Sequence, residues 1–373
     1  MADLLSLLRP APDATTLLQA CLLENERGRA ALEAWSRSGP AVDLLNPRWN
    51  RLFPLLAEAV RRSDVVLEPA VRSRLRAALA SEELRYQAYV KVLDPALSGL
   101  AEGGVEVILL KGAVLAETVY PRPQLRHTHD VDLLIAADRR ADAVACLERC
   151  GWRRTGGAAP RIATHNLVHP SGLPLCLHTQ LIRGAIDPPG LHTLRARAKV
   201  VSLASASVLT LSPADALFHI LGQAVSSGGF TSLLWACDAF FCVNRAEIDW
   251  EVFARALRSS HLSRAYLELL RYLREALDVG PPAPVASMIE RAAATAPWNP
   301  EAVVATMHAG AFGLRTMRRR ARLWPTRVAL LKWLVIPGSD VAHAIAPEIP
   351  RWQLPLRHLW RATTRLRSRQ RLD

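Results

Sequence analysis

The sequence has few lysines, no Cys-x-x-Cys pair and no apolar run of the length that crosses a membrane. A membrane-spanning helix needs roughly 20 apolar residues, so we expect no transmembrane segment. The N-terminus has neither the basic start nor the apolar stretch of a signal peptide, and we expect a cytoplasmic protein. Six scattered cysteines without metal-type spacing indicate reduced thiols, mostly in the core.

Arginine carries nearly all of the positive charge, because only four of the 47 basic residues are lysine. The net charge of +13 favours anionic partners such as nucleotides, nucleic acid or acidic lipid. Half of the 373 residues are hydrophobic and 22% are charged, which is typical of a globular chain. This length allows two or three compact units.

Residues 107–135 combine a strand, a turn, a helix and paired carboxylates. An apolar run ends at Lys111-Gly112, a short helix is predicted next, and Asp130 and Asp132 open a second strand. Because one residue separates them, both aspartates should point to the same face, about 6.5 to 7 Å apart. Two unneutralised carboxylates repel each other, which favours a hard cation such as Mg²⁺ bridging them to a phosphate.

An Asp-x-Asp motif is also compatible with a solvated turn that binds no metal. The Lys111-Gly112 turn favours the functional interpretation, because a strand-turn-helix junction presents backbone N–H groups and a cation to an anion. We therefore expect a metal and phosphate site here. Replacing Asp130 or Asp132 by asparagine should keep or raise the stability of the metal-free protein, since it relieves repulsion.

The order Leu-Lys-Gly, short helix, Tyr, then Arg-x-x-x-Asp-hydrophobic-Asp occurs at Leu110 to Gly112, Tyr120 and Arg126 to Asp132. In this order and spacing the chain resembles the uncharacterised nucleotidyltransferase family of the polymerase-beta-type nucleotidyltransferase superfamily. The resemblance implies metal-dependent transfer of a nucleoside monophosphate from a nucleoside triphosphate to an acceptor. It implies Mg²⁺ or Mn²⁺ as cofactor and leaves the acceptor open among small molecules, sugars, proteins and RNA.

The resemblance also assigns roles to individual residues. Asp130 and Asp132 would be the catalytic metal ligands, and Lys111 and Gly112 would bind the triphosphate. Arg126 would either reach a phosphate or fix the loop before the metal strand.

The sequence departs from the family pattern at the third carboxylate, which usually precedes a Leu-His pair on a later strand. That position is Cys176 here, and a thiol is a poor ligand for Mg²⁺. His178 keeps its place and would contact phosphate or hold the metal strand. Three explanations stay open: two carboxylates acting with water, a third ligand elsewhere such as Asp187, or a degenerate protein that binds nucleotide or RNA without turnover.

Zinc is a rival hypothesis for this region. His127, His129, Cys176 and His178 are residue types that zinc uses. Strand parity argues against this set, because residues 127 and 129 should face away from 130 and 132.

The fold class that we predict is α+β, with a small mixed nucleotidyltransferase-type sheet from residues 105–182 and helices on either side. The sheet includes a hairpin whose strands lie at 163–169 and 173–182, and the second strand should carry Cys176 and His178 on one face and Leu175 and Leu177 on the other. Pro95 should kink or divide a helix over 81–102. The predicted domains are a helical region 1–102, a core 103–205, a helical domain 206–310 and a basic helical segment 311–373.

The last segment has arginine clusters on both sides of the apolar stretch 328–336. Such a segment is a candidate for peripheral contact with a membrane surface. A helix packed on its own domain with a solvated arginine face gives the same pattern.

Overall fold

The computed structural model describes residues 5, 8–37, 49–154, 164–182, 189–203, 206–227 and 233–296. Within these ranges, twelve α-helices surround one seven-stranded mixed sheet, so the predicted α+β class is confirmed. No helix in the described part of the chain is long and apolar enough to cross a membrane. Asp187 and the basic segment 311–373 lie outside the described residues.

The elements follow one another in a helix-rich order. The N-terminal helices are α1 Pro12–Leu22, α2 Glu26–Arg37, α3 Phe53–Arg61 and α4 Pro69–Glu102. The central region contains β1 Ile108–Leu110, α5 Ala113–Thr118, β2 Val131–Leu134, α6 Arg140–Arg149, β3 Arg153–Arg154, β4 Thr164–Val168, β5 Pro174–His178, α7 Leu191–Arg197, β6 Lys199–Leu203 and β7 Ala206–Thr210. The remaining helices are α8 Pro213–Ser227, α9 Leu234–Arg245, α10 Trp250–Ser259, α11 Ser263–Leu277 and α12 Ala283–Thr295.

The strand order across the sheet is β3-β4-β5-β2-β1-β7-β6. Strand β2 lies at the centre, antiparallel to β1 and parallel to β5. The predicted hairpin is present as β4 and β5, which pair antiparallel.

The sheet is wider than the predicted span 105–182. Strands β6 and β7 form a second hairpin, and β7 pairs in parallel with β1. This hairpin crosses the predicted boundary at residue 205 and ends at Thr210. Its strands escape periodicity analysis because the edge strand β6 is largely exposed and has no continuous apolar face.

Both faces of the sheet are covered by helices. On one face, Leu109, Leu133 and Leu177 pack into a core that includes residues of α4 and α6. On the other face, Ile108 and Leu134 join a larger core built with α8, α9, α11 and the N-terminal helices. Because side chains alternate along a strand, Asp132 shares its face with Leu134 and is directed towards the larger core.

Helix α4 is longer than predicted and is not divided by Pro95. It runs without a break through the proline, which removes one backbone donor. Leu93, Ala96 and Leu97 are buried on either side of Pro95. Their packing against the sheet offsets the lost hydrogen bond, so tertiary contacts override the local helix-breaking tendency.

A buried ion pair joins the loop before β2 to helix α9. Arg126 donates from Nε and Nη2 to the carboxylate of Asp238, at 2.9 and 2.8 Å. The Tyr120 hydroxyl donates to the same carboxylate at 2.7 Å. Burial alone would lower the pKa of Arg126, but the Asp238 carboxylate raises it above its usual value. The guanidinium therefore stays charged in a position where both partners are 6% exposed.

The substitution Asp238→Ala should reduce the free energy of unfolding by about 3 to 5 kcal/mol, because it leaves the Arg126 charge buried and unpaired. Tyr120→Phe serves as the control, since it keeps the ion pair and removes one hydrogen bond worth about 1 kcal/mol. Urea unfolding measures both variants. A loss for Asp238→Ala no larger than that for Tyr120→Phe would contradict the importance of the pair.

Candidate active site

The Lys111-Gly112 turn lies at the end of β1, beside the start of β2. Its backbone is unusual, with φ of 22° at Lys111 and 55° at Gly112. A side chain at Gly112 would meet its neighbours at ordinary contact distances, but ψ of −124° with this φ is a conformation that glycine alone adopts readily. The Tyr89 hydroxyl donates to the Asp130 carbonyl at 2.8 Å and so fixes the facing segment.

Lys111 contacts the aspartate motif directly. Its Nζ lies 3.0 Å from Oδ2 of Asp132, so the turn and the motif are as close as the sequence predicts. Burial opposes the charged form of this ammonium group, but Asp132 and Asp130 together raise the pKa of Lys111 above its usual value. The site therefore contains a fixed positive charge beside its carboxylates.

Asp132 is the most enclosed carboxylate of the motif, with 4% of its side chain exposed. Its Oδ1 lies 2.6 Å from Nε2 of His178, and Lys111 occupies Oδ2. Burial by itself would raise the pKa of Asp132, but the charge of Lys111 and the hydrogen bond with His178 lower it well below its usual range. The carboxylate is ionised, and each of its oxygens has a partner.

Asp130 differs from Asp132 in its surroundings. It precedes β2, is one quarter exposed, and its Oδ2 lies 3.6 Å from Nε2 of His129. The predicted repulsion between the two aspartates overlooked Lys111, which supplies the opposite charge that the pair needs. Because Asp132→Asn leaves Lys111 without its ionised partner, we expect this change to lower stability, whereas repulsion between the aspartates alone would keep or raise it.

Cys176 lies opposite Asp132 in the register of the parallel pair β2 and β5. Cys176 and His178 share one face of β5, while Leu175 and Leu177 are buried on the other, as predicted from strand alternation. Donor atoms of Asp132, Cys176 and His178 all lie within 4.8 Å of one another. The residue at the third-carboxylate position therefore does face the aspartate motif, but with sulfur in place of oxygen.

The fit of these residues to Mg²⁺ is incomplete. Mg²⁺ prefers six oxygen ligands, and it is often held by one or two carboxylates plus substrate phosphates. Asp130 and Asp132 match that second arrangement when a nucleotide supplies the remaining oxygens. The cluster of Asp132, Cys176 and His178 does not match it, because sulfur is a soft donor.

The contacts of Arg126 bear on its two predicted roles. Nη1 donates to the His127 carbonyl at 3.2 Å and to the Thr128 hydroxyl at 3.4 Å, while the other two nitrogens bind Asp238. Each of the three guanidinium nitrogens already has a protein partner, which leaves at most one N–H of this buried side chain for a phosphate. The contacts support the alternative, in which Arg126 fixes the loop before the metal strand.

The zinc set that includes His127 and His129 is not assembled in the described structure. His127 Nδ1 lies 2.6 Å from Oε1 of Glu82, and His127 does not belong to the cluster of possible ligand atoms. His129 stacks on His127 with ring centroids 5.4 Å apart. Burial lowers the pKa of His129 to about 4, despite the nearby Asp130. Asp132 takes the place of both histidines in the group of candidate ligands.

His219 is a residue of this region that the sequence patterns did not identify. It lies on α8, is 2% exposed, and neither ring nitrogen has a hydrogen-bond partner among the described residues, although the Leu181 backbone is close enough to affect its pKa. Burial, followed by the charge of Lys111, lowers the pKa of His219 to about 3. The signal that could have found it is a single histidine in an otherwise apolar stretch of helix.

The neutral state of His219 makes stability depend on pH. Its pKa is about 3 in the folded chain and about 6.5 when unfolded, so the unfolded state binds an extra proton below pH 6.5. Stability should therefore fall as the pH decreases from 6.5 towards 3. Between pH 7 and pH 5 the protonation of His219 in the unfolded state should lower the free energy of unfolding by about 2 kcal/mol. The substitution His219→Leu should remove this decrease.

Urea unfolding at pH 7, 6 and 5 tests this expectation through the difference between wild type and His219→Leu. The exposed His192 provides the control, because His192→Gln should keep the pH dependence of the wild type. An unchanged pH dependence in His219→Leu would show that other groups cause it.

The chain resembles a protein family and a solved structure. One solved structure that resembles the chain is an antigenic nucleotidyltransferase-like protein from Paracoccidioides brasiliensis, at 17% identity and a TM-score of 0.32, over 57% of this chain and 94% of that one. No curated protein matches the chain significantly. A protein family described as Uncharacterised nucleotidyltransferase matches residues 47–278, which is more than half of the sequence. The chain therefore belongs to this uncharacterised nucleotidyltransferase family.

Proposed function

We propose that this protein transfers a nucleoside monophosphate from a nucleoside triphosphate to an acceptor, by the chemistry of the polymerase-beta-type superfamily. The observation that carries the proposal is the 3.0 Å contact between Lys111 and Asp132, which brings the glycine turn and the paired aspartates to one point. A fixed cation beside two carboxylates, one of them open to solvent, suits a triphosphate that arrives with its own divalent ion.

Within this proposal each residue of the site has a distinct task. Lys111 neutralises charge on the triphosphate, and Gly112 gives the turn a backbone that a side chain would strain. Asp130 and Asp132 would hold Mg²⁺ or Mn²⁺, which would supply stabilisation of the attacking and leaving oxygens. His178 orients Asp132 through their 2.6 Å hydrogen bond, and Arg126 fixes the loop through Asp238.

A second candidate function is binding of a nucleotide or RNA without turnover. The specific observation in its favour is Cys176, which faces Asp132 from the position where the family usually has a carboxylate. A site that lacks its third oxygen ligand can keep the triphosphate contacts of Lys111 and lose the metal geometry that the reaction needs. The acceptor and the nucleotide base are open under either function.

The protein incubated with each labelled nucleoside triphosphate and Mg²⁺ or Mn²⁺ should release pyrophosphate and label an acceptor. Asp130→Asn should abolish this activity with little effect on folding, because Asp130 is partly exposed and lies outside the tightly paired cluster. Asp132→Asn should lose activity and also roughly 1 to 3 kcal/mol of stability, because Lys111 loses its ionised partner.

The matched control is Asp142→Asn, which removes a carboxylate on α6 whose contact is with Arg139. It should leave both activity and stability close to those of the wild type. Nucleotide binding without pyrophosphate release in the wild type would support the second candidate function. If the wild type binds no nucleotide and releases no pyrophosphate, both candidate functions are contradicted.

The substitution Cys176→Asp separates the two candidates. It places a carboxylate opposite Asp132, so the metal-free protein should melt at a lower temperature because two like charges face each other. Mg²⁺ should restore the melting temperature and strengthen turnover, since an oxygen ligand now lies where the strand directs a side chain. Thermal melting with and without Mg²⁺ measures this. A loss that Mg²⁺ does not restore would rule out position 176 as a site for that ion.

A further inference from the structure

Three side chains with different donor atoms converge on one face of the sheet. Cys176 and His178 project from β5, and Asp132 projects from the neighbouring strand β2 in register with Cys176. One sulfur, one ring nitrogen and one carboxylate oxygen lie within 4.8 Å of one another. The strands that hold them are at the centre of the sheet, so the spacing is set by backbone pairing and not by flexible loops.

The chemistry of this donor set selects a particular class of ion. Mg²⁺ favours six oxygens, and a thiolate is too soft a ligand for it. Zn²⁺ accepts cysteine, histidine and aspartate together in a tetrahedral site, with three protein ligands and one open position. We infer that Asp132, Cys176 and His178 form a binding site for Zn²⁺ or a similar thiophilic divalent ion.

The geometry allows this with small movements. With bonds of about 2.0 to 2.3 Å, ligand atoms in a tetrahedral zinc site lie about 3.3 to 3.8 Å apart. The Asp132 and His178 atoms, now 2.6 Å apart, need to separate by about 1 Å, and the sulfur, which lies within 4.8 Å of a donor atom of each, is at most about 1 Å beyond the tetrahedral spacing. The three side chains come from paired positions on β2 and β5, so these adjustments are small compared with the spacing that the strands already set.

Charge and second-layer contacts also suit a divalent ion. A thiolate and a carboxylate together neutralise Zn²⁺, and Lys111 keeps its contact with Oδ2 of Asp132 while Oδ1 binds the ion. Binding displaces the thiol proton and the proton that Nε2 of His178 donates to Asp132. The first leaves to solvent, and the second leaves to solvent or moves to Nδ1 of the same ring.

The inferred site shares Asp132 with the proposed nucleotidyltransferase centre, and it needs no nucleotide. A thiophilic ion bound here removes one oxygen of Asp132 from the Mg²⁺-nucleotide complex, so the two ions compete at this residue. Because metal binding is measured in the absence of nucleotide, failure of this inference and failure of the proposed function are distinguishable.

Cobalt(II) is the probe, because thiolate coordination gives Co²⁺ a near-ultraviolet charge-transfer band and a tetrahedral site gives strong visible bands. The full-length protein, reduced and dialysed against a chelator, is titrated with Co²⁺. We expect both features to saturate at one equivalent. Equimolar Zn²⁺ should then displace the signal, whereas millimolar Mg²⁺ should not.

Cys150 provides the matched control, since it is the other partly exposed cysteine of the six. Cys176→Ser should lose the thiolate band and bind Co²⁺ more than about 10-fold more weakly, whereas Cys150→Ser should retain the wild-type spectrum. His178→Gln should retain the band at higher Co²⁺ concentration, which keeps the test valid if Cys176→Ser fails to fold. Absence of the band in the wild type, or its persistence in Cys176→Ser, would overturn the inference.

Discussion

The buried carboxylate of Asp132 is the constraint on which the candidate site depends. A charge almost excluded from water has to be compensated by its neighbours, and here two separate elements do so. Lys111 comes from the end of β1 and His178 from β5, on opposite sides of β2. A slip of one residue in the pairing of β2 with either neighbour would direct Asp132 towards the apolar core on the other face of the sheet. The contacts of Asp132 with Lys111 and His178 therefore favour the observed register, and that register in turn brings the three residues together.

A second buried ion pair complements the first. Arg126 and Asp238 hold the loop that leads into β2, and their contact crosses from that loop to helix α9. Breaking such a pair costs more than forming it gains, so it acts mainly by excluding alternative loop conformations. Arg126 of one pair precedes Asp130 in the sequence, and Asp132 of the other pair follows it. They fix the position of Asp130 from both sides while leaving its side chain partly open to solvent.

Strand alternation was a sufficient guide to much of the site. It predicted that Cys176 and His178 share a face of their strand, and the strand-turn-helix junction led us to expect Lys111 beside the aspartates. The same reasoning failed where the partner of a residue lies far along the chain. The pairing of Arg126 with Asp238 spans 112 residues, and no local pattern links them. Strand alternation also considers the two aspartates without the lysine beside them. It therefore predicted repulsion between the carboxylates, whereas in the folded chain the charge of Lys111 compensates that of Asp132.

His219 and the hairpin of β6 and β7 were missed for related reasons. A histidine in an apolar helix has the same local pattern whether it packs in the core or lies beside a charged site. Strand β6 is at the edge of the sheet and β7 is short, so neither shows the long periodic signal that identifies a helix. The environment of His219 and the pairing of β6 and β7 both depend on tertiary contacts, which local sequence patterns do not encode.

The parallel pairing of β7 with β1 bears on the order in which the chain folds. The Thr210 hydroxyl donates to the Leu109 carbonyl across 101 residues, so this edge of β1 closes only after the chain beyond residue 206 is available. Until then, β1 and β2 can pair locally but expose an open edge of apolar strand. Distant parallel pairings form slowly because loop-closure entropy opposes them. A chain truncated before β7 therefore leaves this edge of β1 without its partner strand, and such a fragment should associate through that edge.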